Sequence, residues 1–213
     1  MKILLFLLSL IWAMPAWADG PALFKDFSYG QLRTEIQQLP DIYACDDVQE
    51  GALCRSQQSF ANYDGWEQIF LFTNDKLDVV VLFDDTNKNL YNITGVLTNS
   101  HYFAAVIQAG DKIFDFIQAI NEHGFESAVA KLTQTETAFL NGNDSVTYTF
   151  CPANILKSAI TAGNFSNYLL KAPTSLRATE VIVSNDSLTV RFLAPVAALH
   201  DIRKQMNSQT ESF

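Results

Sequence analysis

Three cysteines, three histidines and a few clustered carboxylates are the residues of this chain with chemistry to offer. Cys45 and Cys54 flank a segment holding Asp46, Asp47, Glu50 and Gly51. A polar, Gly-containing loop of that length folds back readily and brings two sulfurs within bonding range. The spacing predicts a Cys45–Cys54 disulfide. Closing a loop of about ten residues stabilises the fold by about 2–3 kcal/mol, through the entropy removed from the unfolded chain. Cys151 is left over. It follows the apolar run at 146–150, so a buried, inert thiol is expected there. A reactive or intermolecular thiol, or pairing of Cys151 with Cys45 or Cys54, stays open.

The histidines assemble no site by spacing. His101, His123 and His200 are isolated, and His123 stands beside Gly124 at an expected helix end, where the helix dipole favours a cation. The nucleophile elbow G-x-S-x-G, the zinc helix H-E-x-x-H, the phosphate loop and the dinucleotide fingerprint are all absent. Asp84-Asp85-Thr86-Asn87-Lys88-Asn89 places oxygen ligands at alternate positions, as half of a calcium loop does. It lacks the central Gly, and Lys88 would oppose a cation, so a solvated turn is expected. No catalytic residue, metal or cofactor is assigned. A hydrolase with a nonlocal site drawn from distant Asp, Glu and His residues stays open, because catalytic groups need not be neighbours in sequence.

Aromatic residues offer recognition instead. Phe70, Phe72, Phe83, Phe103, Phe114 and Phe116 fall in apolar-periodic segments and are expected in the core. Tyr63, Trp66, Tyr91, Tyr102 and Tyr168 carry polar edges that tolerate water. The cluster Asn62-Tyr63-Asp64-Gly65-Trp66 admits two readings. Tyr63 and Trp66 form either a binding tip or a hairpin corner packed on the core.

The first eighteen residues set the expected address. Lys2 supplies a positive charge, residues 3–14 are apolar apart from Ser9, and Ala16-Trp17-Ala18 is a small-residue cleavage signal. This is the pattern of a secretory signal peptide, 1–18, with export to the periplasm or the medium. The oxidising compartment suits the disulfide. Loss of Lys2 takes the formal charge from −9 to −10, which disfavours nucleic acid as a partner. A hydrophobic content of 48% and 16 Phe require a packed core. No later segment has the length of a membrane span.

The elements that must position these residues are legible from turns and periodicity. Ser28-Tyr29-Gly30-Gln31 reads as a capping box for a helix carrying Leu32, Ile36 and Leu39, stopped by Pro40. Strands are expected at 56–61, 67–73 and 77–83, the last two joined by Asn74-Asp75-Lys76. Residues 79–82 are apolar on both faces, which predicts a central or doubly covered strand. Residues 84–98 are ambiguous, and 101–109 reads as a strand. Gly110-Asp111 is expected to introduce a helix with Ile113, Phe116, Ile117 and Ile120 on one stripe, ended by Gly124. A second helix carries Phe125, Val129 and Leu132, with Thr133 and Glu136 capping a last short piece. A strand at 145–151, a short helix at 153–162, a hairpin at 178–184 and 188–193, and a helix opened by Pro195 complete the chain.

The hairpins repeat a pattern. Phe72-Thr73-Asn74-Asp75-Lys76-Leu77-Asp78-Val79 aligns with Val183-Ser184-Asn185-Asp186-Ser187-Leu188-Thr189-Val190. Coincidence and duplication both explain it, since turn chemistry is restricted. The capped helix near 29–39, the linking loop and the Phe72-Thr73-Asn74-Asp75-Lys76-Leu77-Asp78-Val79-Val80 strands resemble one unit of the β-lactamase-inhibitor-protein-like fold, shared by small outer-membrane-assembly lipoproteins. The resemblance implies action by protein binding and transfers no functional residue. The chain departs from it in having no lipid-attachment Cys after the leader and in a long helical segment at 111–140.

The expectation is an α+β domain at 19–213, an antiparallel sheet with helices packed on one face, with two related helix-plus-hairpin subunits at 19–86 and 87–213 under the duplication reading. The leading function is a noncatalytic protein-binding or cell-envelope accessory module, its partner another envelope or secreted protein. The alternatives are the nonlocal hydrolase and a small-ligand binder using a cavity between the sheet and the inserted helices.

Overall fold

A computed structural model describes residues 20–86 and 90–210. The leader at 1–18 lies outside the described residues, as do Asn87, Lys88 and Asn89 of the calcium-like hexapeptide.

The chain opens with a two-stranded ribbon, β1 (Ala22–Phe24) and β2 (Phe27–Ser28), and a short helix, α1 (Arg33–Gln37). It continues through β3 (Tyr43–Ala44), β4 (Leu53–Phe60), β5 (Tyr63–Thr73), β6 (Lys76–Asp84), α2 (Leu90–Asn99), β7 (Tyr102–Ala109) and β8 (Lys112–Asp115). Two helices, α3 (Phe116–His123) and α4 (Phe125–Gly142), precede β9 (Ser145–Pro152). The remainder is α5 (Leu156–Ala162), α6 (Phe165–Leu169), β10 (Ala178–Ser184), β11 (Leu188–Leu193) and α7 (Pro195–Thr210). Nine strands form one antiparallel sheet in the order β3-β4-β5-β6-β11-β10-β9-β7-β8. The protein is α+β, as the patterning predicts.

The strand of residues 79–82 is central. It lies in β6 between β5 and β11, with Val80 and Leu82 fully buried on one face and Val79 and Val81 nearly so on the other. The two Asn-Asp hairpins thus meet side by side, Val81 opposite Arg191. Their turns differ. Asn74 and Asp75 both take positive φ, 52° and 59°, as a two-residue loop between Thr73 and Lys76 requires. Asn185 and Asp186 do not.

One sheet face carries the main core. Alternate residues of β4 to β7 and β9 to β11 point to it, among them Leu53, Phe70, Leu82, Val190, Val183 and Tyr148. Ile36 of α1, Leu90, Ile93 and Leu97 of α2, Phe139 of α4 and Ala197 of α7 close over them. The reverse face is covered at its two ends. Cys45, Ala52 and Cys54 seal Ile69, Val79 and Val81. At the far corner Ala159, Phe165 and Tyr168 of α5 and α6 bury Cys151 and Ala178. Between these covers Glu180 and Arg191 form a cross-strand ion pair at 3.0 Å, leaving this stretch polar.

Three sequence expectations are corrected. The Ser28–Gln31 pair forms, with Gln31 Oε1 accepting from the Ser28 amide at 3.4 Å, but it closes a turn and not a helix. Gly30 at φ 82° carries the backbone out of helical geometry, so α1 starts at Arg33 and Leu32 stays exposed. Residues 112–115 are a strand: Gly110 at φ 59° makes a tight turn, β8 pairs back on β7, and Ile113 is exposed. The helix follows it, capped by Asp115, whose carboxylate accepts from the Gln118 amide at 3.0 Å. Thr133 caps nothing. Its hydroxyl bonds the Val129 carbonyl inside α4, which runs unbroken to Gly142. Gly124 does end α3, its amide meeting the Ile120 carbonyl at φ 79°.

Candidate functional site: an apolar cleft under the long helix

The site is built by how α4 is attached. Of its 18 residues only Ala128 and Phe139 are buried. Ala128 packs on Phe116 and Ala119 of α3, and Phe139 enters the main core. The two anchors are about 16 Å apart along the helix at 1.5 Å per residue. Leu132 and Glu136 lie between them on the same side of the helix and face the sheet. β7 and β9 form the floor and α2 the opposite wall.

The resulting cleft has a volume of about 370 Å³. Its walls are predominantly apolar, with Phe103, Ile107 and Phe150 from the strands and Phe116, Phe125 and Leu132 from the helices. Phe116 meets Phe103 at 6.4 Å and Phe125 at 6.0 Å between ring centres. Phe125 stands at the rim, 55% exposed.

The polar groups in the lining are few. Tyr148, 2% exposed, donates its hydroxyl to Glu136 Oε1 at 3.1 Å. The Thr94 and Thr98 hydroxyls donate to the Leu90 and Thr94 carbonyls of their own helix, and the Thr98 oxygen is thereby limited to accepting. Tyr102 completes the set. No Lys, Arg or His lines the cleft, and among the described residues no cation pairs with Glu136. Glu136, half-buried, is the one carboxylate in this mainly apolar lining.

Of the residues singled out by sequence, Tyr102, Phe103 and Phe116 line the cleft and the proposed tip lies elsewhere. Trp66 is 1% exposed and packs on Phe60 at 5.7 Å, so it presents no surface to a partner. The segment is the hairpin corner packed on the core, with Tyr63 half-buried against the same cluster. Cys45 and Cys54 are bonded. Cys151 is free and buried, its thiol pushed up to about 12 by loss of water. His123 contacts Glu122 and His200 contacts Asp201, both at the surface. Among the described residues no cluster of His, Cys, Asp and Glu suits a metal. Tyr102 reaches the cleft, Tyr168 is core, and the Tyr91 side chain lies outside the described residues.

Sequence reasoning missed Glu136, Thr98 and Phe125. The available signal was α4 itself, a long helix too poor in apolar residues to be held along its whole length.

A second hollow of about 270 Å³ lies where α7 meets the first hairpin. There Tyr29 donates to Asp201 at 3.0 Å, and burial and Asp201 together hold its hydroxyl protonated well above the usual range. That contact docks α7. Comparison with family models, with curated proteins and with solved structures finds no match.

Proposed function

We propose that the protein is an exported, noncatalytic binding protein whose ligand is a small, largely apolar molecule held in the cleft between α2 and α4. The observation that carries this is the cleft itself. Its 370 Å³ accommodates on the order of a dozen water-sized groups at about 30 Å³ each, within the range of small-molecule sites. Export is supported by the leader pattern and by the Cys45–Cys54 disulfide. No described helix is long and apolar enough to cross a membrane. An acid–base mechanism finds little support in the cleft, whose lining has one carboxylate and no imidazole.

The test uses N-phenyl-1-naphthylamine, a neutral apolar fluorophore. Saturable one-to-one enhancement of its emission by the mature protein is expected. Thr98→Phe adds bulk at an exposed position of the cleft wall and should reduce affinity about tenfold or more while the thermal midpoint holds. Unchanged probe affinity in that variant would sink the cleft as the binding site.

A further inference from the structure

We infer that the ligand is an amphiphile whose polar head donates hydrogen bonds to Glu136, a primary alkyl ammonium being the simplest member of the class. This rests on the small-ligand reading above and narrows it to one head-group chemistry.

The polar atoms that face the cleft are carboxylate and hydroxyl oxygens with no cation among them, and the Tyr102 hydroxyl can donate as well as accept. Glu136 contributes two carboxylate oxygens, one of which already receives the Tyr148 hydroxyl. Thr98 has spent its proton on a backbone carbonyl. A carboxylate or phosphate head would meet these oxygens with no basic side chain in the lining to receive it. An ammonium supplies three donors and a compensating charge. Its alkyl chain would run along Leu132, Phe116 and Phe125, which border Glu136 on the α3–α4 side. Charge complementarity thus selects the head and the apolar walls select the tail. A charge-assisted hydrogen bond made in such a place is worth about tenfold in affinity or more.

The experiment displaces N-phenyl-1-naphthylamine with octylamine, octanol and octanoate at pH 7, from the wild type and from Glu136→Gln. The amide oxygen of the variant can still accept from Tyr148, so the helix stays docked. Octylamine should bind about tenfold or more tighter than octanoate to the wild type, and this preference should collapse in the variant. Octyltrimethylammonium, a cation with no N–H, should bind the wild type more weakly than octylamine, a comparison that needs no variant.

Equal displacement by all three head groups overturns the head-group assignment and leaves the apolar cleft reading standing. A preference that persists in Glu136→Gln overturns the assignment too, and traces it to the overall negative charge of the chain. Octyltrimethylammonium binding as tightly as octylamine overturns the donor requirement. If none of the compounds displaces the probe, both the assignment and the small-ligand reading fall.

Discussion

The same face of the sheet is finished in two different ways. Over β4, β5, β6 and β11 it is closed by aromatic rings from distant parts of the chain. Phe24 stacks on Phe192 at 4.5 Å, Phe27 meets Phe70 at 4.7 Å, and Phe60 sits edge-on to Phe24 and Trp66 at 5.7 Å. Over β7 and β9 the covering helix is buried only at Ala128 and Phe139, and between them it is held by half-buried Leu132 and by the Tyr148–Glu136 hydrogen bond. The closed end stores stability, and the open end leaves apolar surface that, under the proposed function, a ligand would cover. The strongest aromatic cluster in the sequence, residues 62–66, therefore marked the closed end, where Trp66 is buried in the core.

The largest test of this contrast sets one aromatic residue against the other. Trp66→Ala should cost about 3–5 kcal/mol in urea unfolding, because a fully buried ring leaves a cavity. Phe125→Ala, at the rim of the cleft, should stay within about 0.5 kcal/mol and weaken probe binding instead. Comparable losses from both would erase the distinction.

Next comes the clasp on the reverse face of the closed end. Replacing Cys45 and Cys54 together by Ala should lower stability by about 2–3 kcal/mol through the loop that the bond closes. Ligand affinity at the far end should not change. A parallel loss of affinity in a protein that remains folded would mean that the two ends are coupled.

The effect that is smallest at neutral pH concerns the reverse face behind the cleft, which is closed around Cys151. Burial raises this thiol from its ordinary 9.0 to about 12, so the folded state holds the proton that the unfolded chain gives up. Its contribution is complete below about pH 9 and is lost as pH rises towards about 12, at most about 1.4 kcal/mol per pH unit. Unfolding of Cys151→Ala should therefore depend less steeply on pH across that window. Identical slopes would show that the thiol is accessible to water, and the open end would then be open on both faces.

Much of the fold follows from local rules that tertiary packing does not override. The alternation in 178–184 and 188–193, the two-sided apolar run at 79–82 and the cysteine spacing each specify their element directly. Other segments satisfy two rules at once. Ile113, Phe116, Ile117 and Ile120 keep helical spacing, yet Gly110 and Asp111 also make a hairpin turn, and pairing with β7 takes the first of them. In Asn62-Tyr63-Asp64-Gly65-Trp66 the residue types are equally at home on a surface and in a core, and neighbours far along the chain decide. The cleft was hidden for a related reason. It joins α2, β7, α4 and β9, and Glu136 gains its character only from the apolar residues that these elements bring around it.

The outermost strands of the sheet have a bearing on life in a crowded solution. β3 has two residues and β8 has four, so neither end offers a long row of free amides and carbonyls. β4, which β3 only partly covers, is interrupted by irregular register beside Gln57 at φ 58°. A neighbouring molecule that approached either end would find too little straight backbone to extend the sheet. Nine strands with so much apolar surface can in this way remain a single body instead of the start of a fibre.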